Sequence, residues 1–309
     1  MRRAHWPSPV GAALLLAALI TGSCTPSPPL TALSPDLDEP GLSLADHVGT
    51  TLVIVSLSPA TLGENKLRVV LRDPSGTPIS GSARVSLRRG SAQAATVELT
   101  ANTGPGNMVI SEADSYELLV DVAPIGQAPG EVRFPVTLPA RETGRDLLVR
   151  VDAAMNQLQS LRESQALTSG GFVYVFSFDY QAPDRTHYTF IGPEGVGHET
   201  LLIGTRRFDR DGPTPWSESD LGIPVAAPSF AYSAAAHRLR QIGSESVAGR
   251  DTLVLALIDG APPYERYYRL WVDVTSLQVQ RYTMMASGHY MGGSYRDFNA
   301  PIQIAPPTR

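Results

Sequence analysis

Between residues 172 and 180 every second side chain is a ring: Phe172, Tyr174, Phe176, Phe178 and Tyr180, separated by Val173, Val175, Ser177 and Asp179. Side chains alternate across a strand, so this run predicts a β-strand that places all five rings on one face of a sheet. A large ring buries ~150–250 Å² when covered. The stripe therefore needs either a packed layer over it or an apolar ligand against it.

The rest of the chain reads the same way. Short alternating or apolar runs at 51–57, 66–71, 83–88, 95–99, 116–122 and 131–138 are separated by turn residues, with no helical period among them. Val85 and Leu87 point one way while Arg84, Ser86 and Arg88 point the other. This predicts a β-sandwich over 47–138. With 27 Gly and 26 Pro in 309 residues, turns are plentiful. Residues 139–150 read as a hinge. In the second segment, 151–309, Val151, Ala154, Met155, Leu158 and Leu161 follow helical spacing, and a second helical patch is expected at 229–239 through Phe230, Ala234 and Leu239. Further strands are expected at 188–191, 199–203, 207–209, 251–258, 267–274 and 279–286. The fold expected is mostly β with some α: a sandwich, then a curved antiparallel sheet with helices on its concave face.

The N-terminus carries Arg2 and Arg3, an apolar run at 10–20, then Thr21, Gly22, Ser23 and Cys24. A charged start, a short apolar core and small residues describe a secretory signal, and the run is shorter than the ~20 residues a spanning helix needs. Ending on Cys24, it resembles the lipobox of bacterial lipoproteins; Thr21 departs from the usual Leu or Val. The resemblance implies cleavage after residue 23, acylation of Cys24, and a mature protein anchored to a membrane in the extracytoplasmic envelope. Residues 24–46, with five prolines among polar residues, read as a stiff tether.

Residues 58–87 and 115–138, with their Gly, Asn and Pro spacing, resemble the Ig-like domain of CopC, YtkA and FixH-type proteins. His47 and Met108 are too few to bring a copper site with that resemblance. The second segment resembles the LolA/LppX-like family of bacterial lipoprotein and lipid carriers. The matching stretches are "NQLQSLRESQALTSGG" at 156–171, "YQAPDRTHY" at 180–188, "IGTRRFDRDGPTPW" at 203–216, "LWVDVTSLQVQRYTM" at 270–284 and "YRDFNAPIQIAPP" at 295–307. Ser276 stands where that family commonly has Gly. The resemblance implies a half-barrel holding an acyl lipid or another apolar molecule. By alternation the lining would include Phe172, Tyr174, Phe176, Phe178, Leu253, Leu255, Leu257, Tyr268, Leu270 and Val272, with Trp216 and Phe230 near the opening.

Net charge is −5, from 25 basic and 30 acidic residues, which argues against a nucleic-acid partner. One cysteine excludes an internal disulfide and a Cys-based zinc site. No G-x-S-x-G elbow or phosphate loop occurs, and His198-Glu199 lacks the second His of a zincin helix. Asp179, Asp184, Asp209 and Asp211 read as turn residues. No cofactor and no enzymatic activity are expected. The alternative reading is a copper-handling or copper-sensing envelope protein, in which Met285, His289 and Met291 share a strand face and offer thioether and imidazole ligands. A further alternative is a structural envelope protein, its interior filled by its own side chains. The expected partners are a membrane, an apolar small molecule or acyl lipid, and an envelope protein.

Overall fold

The computed structural model describes residues 41–226, 228–234, 236–260 and 264–307. The expected signal sequence, Cys24 and the expected tether up to residue 40 lie outside the described residues. Two four-stranded sheets come first. One is ordered β1-β2-β3-β6: Leu42–Val48, Thr51–Ser58, Gly63–Arg72 and Gly106–Ile110. The other is ordered β5-β4-β7-β8: Ala92–Thr100, Gly81–Arg89, Asp114–Pro124 and Leu138-ending Gly130–Leu138. Val53, Val55, Leu57, Val69 and Leu71 from the first face Val85, Leu87, Val120, Phe134 and Val136 from the second, all nearly sealed from solvent. This is a sandwich whose alternation delivers one apolar face per strand. It starts five residues earlier than 47, because Leu42 and Leu44 belong to its core.

Residues 139–150 are not a free hinge. The Ala140 amide donates to the Ala60 carbonyl at 3.0 Å. Strand β9 (Arg141–Glu142) pairs with the edge of the next sheet, and helix α1 (Arg145–Asn156) begins three residues later. The helix starts before Val151 because Leu148, Val151 and Met155 form its buried face. It stops before Leu158 and Leu161. Those two continued the helical spacing by coincidence: Leu161 lies in β10, yet packs into the same core from the facing sheet.

The remaining strands form one open antiparallel sheet of twelve, ordered β15-β14-β13-β12-β11-β10-β20-β19-β18-β17-β16-β9. Their ranges are β10 Ser160–Ser169, β11 Phe172–Gln181, β12 Arg185–Ile191, β13 Gly197–Ile203, β14 Arg206–Asp211, β15 Ser217–Asp220, β16 Ala236–Val247, β17 Arg250–Asp259, β18 Arg266–Asp273, β19 Val279–Ala286 and β20 His289–Arg296. Asp179, Asp209 and Asp211 therefore lie in strands rather than turns. Among the described residues α1 is the only α-helix, and the patch at 229–239 is a strap followed by β16. The strap's amides are spent elsewhere than in a helix: Asp152 of α1 accepts from Tyr232 and Ser233 at 2.8 and 2.9 Å, and Asn156 accepts from Phe230 at 2.9 Å.

From β16 to β20 both faces of this sheet are covered. We call the face under α1 the inner face and the other the outer face. On the inner face Leu255, Leu257, Leu270, Val272 and Tyr282 meet Leu148, Val151 and Met155. On the outer face Ile258, Tyr267, Met285 and Tyr290 meet Ala45, Leu52, Ile54 and Val70 of the sandwich. Strand β2 is thus buried on both sides. Strand β1 crosses the large sheet: Ser43 accepts from Arg238 at 2.6 Å, Asp46 pairs with Arg269 at 3.2 Å, and His47 stacks on Tyr290 at 4.1 Å. The Ser287–Gly288 turn seats on the sandwich as well. Gly288 has φ +71°, and a Cβ there would stand 2.6 Å from the Pro74 carbonyl oxygen.

Candidate functional site

The five rings are placed by a hairpin. Gly170 and Gly171, both with positive φ, make a two-residue turn that pairs Ser169 with Phe172 and carries the register to Ser160 opposite Gln181. The rings stand on the inner face. Centroids are 6.5 Å apart for Tyr174–Phe176 and 5.7 Å for Phe176–Phe178 and Phe178–Tyr180. Strand β12 widens the ladder, with Phe190 5.6 Å from Phe176 and Tyr188 5.7 Å from Phe178.

The ladder is covered unevenly. Tyr180 packs against the α1 core, and Phe178 packs against the cluster of Tyr188, Leu202 and Val225. Tyr174 and Phe176 are half-buried, and Phe172 is 55% exposed. The rings of β11 are thus a graded apolar surface, sealed at one end and open at the Gly170–Gly171 end.

The other sequence-predicted lining residues separate into groups. Leu255, Leu257, Leu270 and Val272 share the inner face, as alternation predicted, but lie sealed beneath α1; Leu253 and Tyr268 are partly buried beside them. Phe230 lies in the strap, edge-on to Tyr295 at 5.6 Å. Trp216 lies on the outer face with Leu201, Phe208, Ile302 and Ile304. It is away from the ladder, because Leu201 and Phe208 pair across strands with side chains opposite to Leu202. The inner face is therefore half filled by the protein's own side chains, and the open apolar surface narrows to β10–β13.

The Met–His cluster is not formed as expected. Met284 pairs with Met291 and Ala286 with His289 across the β19–β20 hairpin. Met291 and His289 face inward, whereas Met285 is buried on the outer face against the sandwich. The turn at 287–288 breaks the extended run that would have aligned them.

Sequence reasoning missed the polar group at the sealed end. Glu163 of β10 stands between Phe178 and Tyr295 by cross-strand pairing and is 8% exposed. Tyr282 donates to one carboxylate oxygen at 2.5 Å and Tyr180 to the other at 3.4 Å. Burial raises the Glu163 carboxyl to about 7, against the opposing pull of the two tyrosine hydrogen bonds. Gly293 makes the arrangement possible: a Cβ there would stand 2.6 Å from the Tyr282 ring. The visible clue was the Ser169-Gly170-Gly171-Phe172 turn, which in the sequence reads equally as a helix stop.

On the β13–β14 side the inner face turns polar. Thr200 donates to Asp209 at 2.7 Å, and Arg207 pairs with Asp209. Beside Phe190, His198 contacts Asp211 at 2.6 Å and Glu194 at 3.1 Å. Burial pulls the His198 pKa down, but hydrogen bonds to the two acids outweigh it and leave it raised. The aromatic surface is thus bounded by α1 on one side and by charge on the other. Such a strip suits an elongated apolar group.

No protein-family model and no curated protein matches the chain. Solved structures are similar to it, two mycobacterial lipoproteins among them. The Mycobacterium tuberculosis lipoprotein LppX is 14% identical, with a TM-score of 0.43, over 52% of this chain and 97% of that one. LprF from Mycobacterium bovis is 12% identical, with a TM-score of 0.42, over 53% and 97%.

Proposed function

We propose that this chain is an extracytoplasmic, lipid-anchored protein that carries an acyl lipid or similar apolar molecule along the aromatic ladder of its second domain. The anchor is Cys24, and the Ig-like sandwich is the mount on which the large sheet is held. The observation that carries this reading is the incomplete burial of the ladder. A purely structural stripe of this size would be covered throughout, whereas Tyr174, Phe176 and Phe172 remain partly open next to a sealed apolar end. Carriage requires burial alone, at about 0.8 kcal/mol per methylene.

Titration of residues 25–309 with a fluorescent long-chain fatty acid tests it. The expected result is saturable binding that weakens about tenfold in Phe176→Ala, a loss of ~1.4 kcal/mol. Absence of saturable binding, or equal binding by Phe176→Ala and a Trp216→Phe control, overturns it.

A further inference from the structure

The open end of the ladder coincides with a second feature. Val173 and Val175 are 54% and 51% exposed, Ile191 is 51% and Val196 is 43%, beside Phe172 at 55%. These are not scattered. Val175 pairs directly with Ile191, and Val196 adjoins Gly197, the other partner of Ile191. Val173, Val175 and Ile191 stand on the outer face, Phe172 on the inner, so the patch wraps around the tip of the sheet. Their cross-strand neighbours are Thr168, Ala166, Gly197 and Ser169, none of them charged. Glu194 is the charged residue of the adjoining turn, and it is held by His198.

The sandwich does not cover this patch. On the outer face it reaches β20, where Tyr290 donates to the Thr50 carbonyl at 2.6 Å; the valines lie on β11, two strands further along the sheet, and are more than half exposed. The start of the described chain lies at the same end of the sheet. Ser43 bonds Arg238, two residues past the beginning of β16, and Ala236 pairs with Asp259 at the end of β17. That end also holds the β10–β11, β12–β13 and β19–β20 turns. Cys24 precedes Gly41 by 17 residues, a reach of at most about 60 Å. No helix among the described residues is long and apolar enough to cross a membrane.

We propose that this tip is a bilayer-docking surface, in which Phe172, Val173, Val175, Ile191 and Val196 enter the apolar edge of a phospholipid leaflet. A flat protein partner would bury one face of the sheet; a rim that is apolar on both faces and at its turn fits a medium that surrounds it. Docking there brings the open end of the ladder against the lipid. The surface goes beyond the carrier reading and does not depend on it.

The test uses residues 25–309, which retain every element described above but lack Cys24, with neutral phosphatidylcholine vesicles. Val173→Thr, Val175→Thr and Ile191→Thr together preserve strand-forming shape while removing the apolar rim. The parent is expected to co-sediment with vesicles, the triple variant at least tenfold less, with fatty-acid probe binding unchanged. Phe172→Trp is expected to be quenched by bromine-labelled acyl chains. The inference is overturned if the parent does not bind vesicles, if the triple variant binds equally, or if Phe172→Trp is unquenched. It is likewise overturned if the patch proves to join two copies, seen as a dimer that the triple variant dissolves. Vesicle binding without probe binding would instead remove the carrier reading and leave docking intact.

Discussion

Glu163 is the buried acid closest to the ladder, and its effect on stability has a definite sign. Its carboxyl is raised to about 7 in the folded chain, against an ordinary value of ~4.3 unfolded. Between those values the native state keeps a proton that the unfolded state has lost, so stability falls as pH rises through that window and levels above it. The full effect is on the order of 4 kcal/mol. Melting temperatures of Glu163→Gln are expected to lose this decline between pH 4.5 and 7, while the parent retains it; matching profiles would refute the assignment. Gly293→Ala is expected to displace the Tyr282 ring and destabilise by ~1–3 kcal/mol, measured by denaturant titration. At this scale the sequence was legible wherever alternation ran unbroken. The ring face of β11 and the inward set on β17 and β18 follow from period two alone. Glu163 was hidden because its role depends on a partner strand, and the Gly170–Gly171 turn that creates that pairing also reads as a helix terminus.

At the scale of elements, α1 and the strap at 228–234 close the inner face together. Asp152 holds the strap through two backbone amides, and the Tyr232 and Phe230 side chains pack below it. Asp152→Ala leaves those amides without their acceptor and is expected to cost ~1–3 kcal/mol, with hydrogen exchange accelerated at Tyr232 and Ser233 first. Uniform exchange changes across the sheet would contradict this. The patch at 229–239 reads as helical because Phe230, Ala234 and Leu239 fall on one side of a projected helix. The tertiary bonds to Asp152 and Asn156 win over that local preference. Strands β10, β16 and β20 were equally hard to see. The first carries polar residues on both faces, the second is interrupted by register shifts near Arg238 and Ile242, and the third holds Gly292 and Gly293 in its middle.

At the scale of the molecule, the two halves share their cores. Ile242, Val254, Ala256 and Trp271 of the large sheet belong to the sandwich cluster, and Leu52 and Ile54 reach the other way. Arg72 and Glu265 cross the junction at 3.4 Å, almost fully buried. Glu265→Ala leaves the Arg72 charge without this carboxylate and is expected to cost ~3–5 kcal/mol. Calorimetry is expected to show one unfolding transition for residues 25–309; two resolved transitions would contradict the shared core. That both halves are built of strands was legible from composition and turn spacing. Their union was not, although the continuous apolar run at 51–55 is what a strand buried on both faces looks like.

The central claim is that the half-open ladder holds an apolar molecule, and the contents of the protein itself test it. Protein purified from its native cells can be extracted with organic solvent, which leaves any covalently attached lipid on the chain and releases only what is bound. Mass spectrometry of that extract is expected to find an acyl-chain compound near one per chain in the parent, and markedly less in Phe176→Ala. An extract equally empty for both proteins would contradict the claim.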